Sequence, residues 1–212
     1  MLMSEEMLWL VRGGSYDTFP RLVLHTDRLG FKYLTFVNSY DELMKYVRAN
    51  NKLDRSVGIY TQWQIDNEMY DTIMFDIDYH TGKGNLFDVL ESAYEKLMSL
   101  RAVLNDNELD FSRVYVTGRG FNAYIDFDLS NIPEFKRKYV KFIEHYAIQN
   151  YVDIRRVRLP WVSRFVGSRN SKALSNIIVK RIDFTKPTFR EAFYSVAPWK
   201  KYDNIVSILN SL

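Results

Sequence analysis

The chain contains no cysteine, which excludes disulfides, a thiol nucleophile and any cysteine-ligated zinc site. Glycine and proline are scarce, 9 and 5 of 212 residues, and 47% of the chain is hydrophobic, so it is not a disordered or low-complexity polymer. No apolar run is long enough to cross a bilayer. The first ten residues carry Glu5 and Glu6 without a basic stretch, so they do not read as a secretory signal. Together these absences predict a cytoplasmic protein with no membrane partner. The net charge of +3 is small but uneven, because residues 131–201 hold 16 Lys and Arg against 5 Asp and Glu. The first 130 residues are therefore net acidic. A basic half beside an acidic one suggests a polyanion held against a metal, although solvated helix lysines such as Lys136 and Lys138 account for part of the excess.

The stretch that organises the chain is Thr72-Ile73-Met74-Phe75-Asp76-Ile77-Asp78-Tyr79-His80. It is apolar and β-branched enough for a strand, and strand side chains alternate between faces. Asp76 and Asp78 then share one face, while Ile73, Phe75, Ile77 and Tyr79 root the other in a core. Adjacent carboxylates repel and are costly to bury ionised. A divalent cation with oxygen ligands, Mg²⁺ or Mn²⁺, resolves that cost, and an edge strand with a solvated acidic face is the other reading.

Taken in order, strands are predicted near Leu22 to Leu24, over Phe31 to Val37 and over Ser56 to Thr61. Ser39 reads as the N-cap of a helix carrying Asp41 and Glu42 in its first turn. A long helix is predicted from Asn85 to Leu104, with Val89, Leu90, Tyr94, Leu97 and Leu100 on its apolar face. Ser112 to Thr117 and Phe121 to Phe127 read as a hairpin through Gly118-Arg119-Gly120. Ser130 is expected to cap a helix beginning at Pro133, with Phe135, Tyr139 and Phe142 at helical spacing. A strand at Asn176 to Ile182 and two short helices close the chain. This order predicts an α+β fold, mixed and largely antiparallel sheets flanked by helices, in a single domain over 1–212.

Three further segments bear on the acidic strand. Thr117-Gly118-Arg119-Gly120-Phe121-Asn122 lets backbone amides and Arg119 approach an anion, and is also what a plain tight hairpin requires. Val152-Asp153 runs into Arg155, Arg156 and Arg158, ahead of Leu159-Pro160. Ser168-Arg169-Asn170-Ser171-Lys172 mixes hydroxyls with cations. In this order the pieces resemble the catalytic subunit of archaeo-eukaryotic primases and the related primase-polymerases. That family's first motif is an apolar strand bearing Asp-apolar-Asp, matched by Ile73 to Asp78, with His80 following. Its second is a Ser-Gly-Arg-Arg-Gly-apolar-His turn, resembled in shortened form by Thr117 to Asn122. Its third, an apolar-Asp before Arg-Leu-Pro and a Ser-x-His-x-Lys segment, resembles Val152-Asp153, Arg158-Leu159-Pro160 and Ser168 to Lys172. The resemblance covers roughly residues 33–175, leaving a C-terminal strand and helices over 176–212.

What the resemblance implies is a primase catalytic core, related to the RNA-recognition fold, that performs two-metal nucleotidyl transfer from NTP or dNTP to a primer on a single-stranded DNA template. Asp76, Asp78 and Asp153 would be the catalytic carboxylates holding Mg²⁺ or Mn²⁺. Arg119, Asn122, Arg158, Ser168, Asn170 and Lys172 would bind the triphosphate. Arg155, Arg156, Arg164 and Lys180 would follow the template backbone. Asp126 shares parity with Asn122 and is the rival third carboxylate. The small size and lack of a zinc module suggest help from a primase large subunit or helicase, or a pared-down enzyme of an archaeal mobile element. The chain departs from the pattern where Asn122 and Asn170 replace histidines, and where seven residues separate Pro160 from Ser168. Asparagine can donate a hydrogen bond to phosphate but cannot become cationic. These departures keep an alternative in view: a noncatalytic primase-fold subunit that binds nucleic acid or a replication partner. A metal-dependent nuclease is the third reading.

Overall fold

The alternation at 72–78 and the apolar stripe at 86–104 both take the form their spacing predicts, and around them the chain builds two antiparallel sheets flanked by helices; Tyr79 lies outside the described residues. The computed structural model describes residues 19–26, 32–49, 54–78, 85–153, 162–164, 168 and 179–212. In chain order these form β1 Arg21–Thr26, β2 Lys32–Val37, α1 Tyr40–Ala49, β3 Asp54–Gly58, α2 Gln62–Asp66, β4 Met69–Asp78 and α3 Leu86–Asn105. They continue with β5 Arg113–Val116, β6 Gly120–Asn131, α4 Phe135–His145, β7 Val162–Arg164, β8 Lys180–Ile182, α5 Phe189–Ala192 and α6 Asn204–Ser211. The first sheet has the order β2-β1-β3-β7 and the second β4-β6-β5-β8. No helix among the described residues is long and apolar enough to cross a membrane.

The main core lies between one face of the second sheet and the helices α3 to α6. Ile73, Phe75 and Ile77 of β4 are fully buried there with Val114, Val116, Phe121, Ala123 and Ile125. Each of these side chains larger than alanine contributes about 1.5–3 kcal/mol by leaving water. From α3 come Leu90, Leu97 and Leu100, and from α4 Phe135, Tyr139 and Phe142. Asn85 caps α3 by accepting from the Asp88 amide at 3.1 Å. A smaller core of Val23, Val37, Leu43 and Met44 fixes α1 to the first sheet. Ser39 caps α1 through the Glu42 amide, as expected.

Two expectations fail for local reasons. The strand expected to run to Thr61 ends at Gly58, because Thr61 caps α2 in a capping box with Gln64. Ser130 does not cap a helix. It lies in β6, which continues to Asn131 by pairing with Met69 and Tyr70 beyond an irregularity in β4. The helix begins later, at Phe135, from Glu134 in the left-handed region with φ 56° and no side-chain cap.

Both glycines of the β5–β6 turn have a structural cause. Gly118 takes φ 87°, the positive value a two-residue hairpin turn needs at its first position. At Gly120, a Cβ would lie 1.9 Å from the Ile77 carbonyl oxygen and 3.0 Å from the Asp78 Cα, so β6 crosses β4 where only hydrogen fits. Gly120→Ala is therefore expected to destabilise by about 1–3 kcal/mol, the usual cost of overpacking, through a shifted urea midpoint. A midpoint unchanged within error would show that the strands part freely there.

Candidate functional site

The face of the second sheet opposite the main core carries the acidic pair. Because directly paired residues share a face, the register lays out rows across the strands. Asp76 pairs with Asn122, Asn122 with Tyr115, and Tyr115 with Arg181. Thus one row carries an acid, an amide, a phenol and a guanidinium. Beyond it Asp78 pairs with Gly120, next to Arg119 at the hairpin tip. Asp76 is buried and Asp78 half-buried. The Asp153 amide donates to the Asp76 carbonyl at 2.8 Å, so the third carboxylate of the sequence reading is tied by its backbone to the first. Behind Asp76, the Tyr139 hydroxyl donates to the Met74 carbonyl at 2.8 Å. Burial, with the Asp76 carboxylate adding to it, pushes that phenol far above its ordinary range.

The first sheet meets this face at β7. Asn122 Nδ2 donates to Ser163 Oγ at 3.2 Å, and Tyr124 Oη shares a short hydrogen bond with the same hydroxyl. A small apolar cluster of Met74, Tyr115, Tyr124 and Val179 seals the junction. The phosphate donor expected at Asn122 is therefore engaged in joining the two sheets. Ser163 did not emerge from the sequence, where a lone serine between Val162 and Arg164 gives no signal. Ser168 is fully buried, its carbonyl accepting from the Val179 amide at 3.0 Å, while its hydroxyl has no hydrogen-bond partner among the described residues. Leaving a buried hydroxyl unsatisfied costs about 1–3 kcal/mol, which a ligand oxygen would recover.

Asp126, the rival third carboxylate, is already engaged at both oxygens. Arg113 reaches its two oxygens at 2.7 and 2.9 Å, Thr72 Oγ1 donates at 2.7 Å and Trp199 Nε1 at 2.9 Å. Burial pushes the carboxyl up, but Arg113 and these hydrogen bonds outweigh it and hold Asp126 below the ordinary carboxylate range. The Arg113 guanidinium also stacks 4.1 Å from the centre of the Tyr124 ring. This ion pair braces the lower part of the same sheet face.

Two expected nucleic-acid contacts are not brought to this face. Lys180 pairs with Val116, a core residue, so it points to the opposite side from Asp76. Arg164 pairs with Ser56 and alternates with Ser163, so the sheet parity turns it away from the Asn122 junction. Arg155, Arg156, Arg158, Asn170, Lys172 and His80 lie outside the described residues.

Among the described residues, no three His, Cys, Asp or Glu side chains are grouped closely enough to hold a metal ion. The carboxylate chemistry nevertheless suits a hard divalent cation: Asp76 and Asp78 supply oxygen donors from one strand face, with Asp153 tethered beside them.

By sequence, the chain matches no protein-family model and no curated protein. By structure it is similar to the AEP domain of the cyanophage S-2L primase-polymerase, with TM-score 0.57 and 13% identity over 97% of this chain and 95% of that one. It is similar to the catalytic domain of primase RepB′ in complex with initiator DNA, with TM-score 0.56 and 12% identity over 90% and 84% of the two chains. For primase RepB′ itself the TM-score is 0.59 at 11% identity, covering 98% of this chain and 60% of that one.

Proposed function

Starting from a chain with the fold of primase and primase-polymerase catalytic domains, we propose that it is a template-dependent nucleotidyltransferase making or extending primers on single-stranded DNA from NTP or dNTP. The observation that carries this reading is the Asp76–Asp78 pair on one strand face, with Asp153 tethered at Asp76, in that fold. Asp76 and Asp78, with Asp153, would hold Mg²⁺ or Mn²⁺. Bound there, the ion supplies Lewis-acid polarisation of the α-phosphate and a lowered pKa for the attacking 3′-hydroxyl. Arg119, at the hairpin tip beside the row of Asp78, and the unsatisfied Ser168 hydroxyl supply cation and donor for phosphate oxygens. Arg158, Asn170 and Lys172 would complete the triphosphate site, and Arg155 and Arg156 would meet the template. Ser163 holds Asn122 and Tyr124 in place, so the hydrogen bonds between the sheets fix the face on which Asp76 lies. A primase large subunit or helicase is the protein partner this reading allows.

The test is incubation with single-stranded template, labelled nucleotides and Mn²⁺ or Mg²⁺. Template-dependent products are expected, and a protein that yields none and binds no nucleotide overturns the reading. One observation favours the second reading, a noncatalytic subunit: the Asn122 amide is already bonded to Ser163. That reading predicts single-strand binding without synthesis, unaffected by Asp76→Asn/Asp78→Asn.

A further inference from the structure

We infer that residues 179–202 carry a second surface for single-stranded nucleic acid, on the side of the sheet turned away from the carboxylates, with Tyr194 as its base-stacking residue. It rests on the proposed function only in that the strand reaching it comes from the carboxylate face.

The path is set by β8, the edge strand of its sheet. Successive strand residues point to opposite faces. Arg181 joins the row of Tyr115, Asn122 and Asp76, whereas Lys180 joins Val116 on the other side. One edge thus presents cations to both faces. Arg181 donates to the Ala197 carbonyl at 2.8 Å, which fixes it against the segment that follows.

On the far side, Lys180 Nζ lies 3.7 Å from the centre of the Phe193 ring and 5.9 Å from that of Tyr194, and donates to the Phe193 carbonyl. The two rings meet edge to face, 5.4 Å apart at 89°. These contacts hold the Tyr194 ring in place while leaving it 77% exposed, the most exposed large apolar side chain among the described residues, with Val196 at 48% beside it in sequence. Such a ring adds little to the core by burial. Arg190 and Lys186 are exposed on the same segment. Over 179–202 there are six Lys and Arg against two Asp and Glu. A fixed, exposed aromatic ring in a cationic setting matches single-stranded nucleic acid, whose bases stack without sequence preference and whose phosphates draw cations. The charge balance favours a polyanion over an apolar protein surface.

The test uses the full chain and a fluorescently labelled oligothymidylate, with binding read by anisotropy at several salt concentrations. Tyr194→Ala is expected to weaken binding by about fivefold or more, the scale of losing one stacked base. Tyr194→Phe keeps the ring and is expected to bind like the wild type, and the exposure of Tyr194 predicts an unchanged melting midpoint for both. Removing Lys186 and Arg190 together is expected to flatten the salt dependence, each phosphate contact on a single strand contributing about 0.7 to the slope. Unchanged affinity in Tyr194→Ala overturns the surface and leaves the patch to a protein partner. Template-dependent synthesis by the wild type with unchanged Tyr194→Ala binding leaves the proposed function standing and removes only this inference. Weakened Tyr194→Ala binding without wild-type synthesis does the reverse.

Discussion

Asp126→Ala is expected to destabilise the protein by about 3–5 kcal/mol, the cost of stranding one member of a buried ion pair. That is a large share of the roughly 5–15 kcal/mol by which a typical domain is stable. Removing the carboxylate leaves Arg113 buried and charged, and takes the acceptor from Thr72 and Trp199 at once. The loss would also free the Trp199 indole of the C-terminal segment, while the Tyr202 amide, which donates to the main-chain carbonyl of residue 126 at 2.8 Å, would keep its bond. Urea unfolding of the single variant and of an Arg113→Met/Asp126→Leu double variant separates the causes. The double variant should recover most of the loss, since an apolar pair of similar volume often replaces a buried salt bridge without penalty. The carboxyl is held below its ordinary value when folded, so its stabilisation is complete above the unfolded pKa of about 3.9 and declines as pH falls through the lower folded value. A stable Asp126→Ala protein that had lost metal binding would favour Asp126 over Asp153 as the third metal carboxylate.

That carboxylate shows what the chain alone could and could not disclose. Parity correctly put Asp126 on the face of Asn122 and Tyr124, but its role depends on Thr72, Arg113 and Trp199, which lie 54, 13 and 73 residues away in sequence. The strand and long helix were legible because their periods are local and their apolar faces are real: Ile73, Phe75 and Ile77 went into the core while Asp76 did not. The α2 helix has only five residues and too few apolar positions for a period, yet its Thr61-x-x-Gln64 capping box is a sequence signal that could have revealed it. The prolonged β6 was hidden because its last residues are held by pairing with β4, not by propensity. Lys180 and Arg181 differ by one position, and only the register with β5 decides which of them faces the carboxylates. The link of Asn122 to Ser163 spans 41 residues and joins two sheets, a contact with no local trace.

The Asp76→Asn/Asp78→Asn variant is expected to lose primer synthesis by at least about 10²–10³-fold, the scale of removing one electrostatic group from an active site. Asparagine keeps the size of aspartate but not its charge, so the change removes the anionic oxygens a divalent cation would take while leaving the shape of β4. The strand itself is rooted by its other face, and the backbone bond from Asp153 to the Asp76 carbonyl does not depend on either side chain. Circular dichroism and the urea midpoint should therefore stay close to the wild type, in contrast to Asp126→Ala. This opposition is the informative result: the three acids of one sheet face would divide into Asp76 and Asp78, which serve chemistry, and Asp126, which serves the fold. A double variant that kept more than about a tenth of wild-type synthesis would count against the carboxylate pair as the catalytic centre, since one well-placed electrostatic group alone accounts for more than that. Loss of synthesis with nucleotide and template binding retained would place the pair at the chemical step, because binding would then rest on Arg119, Ser168 and the basic half of the chain.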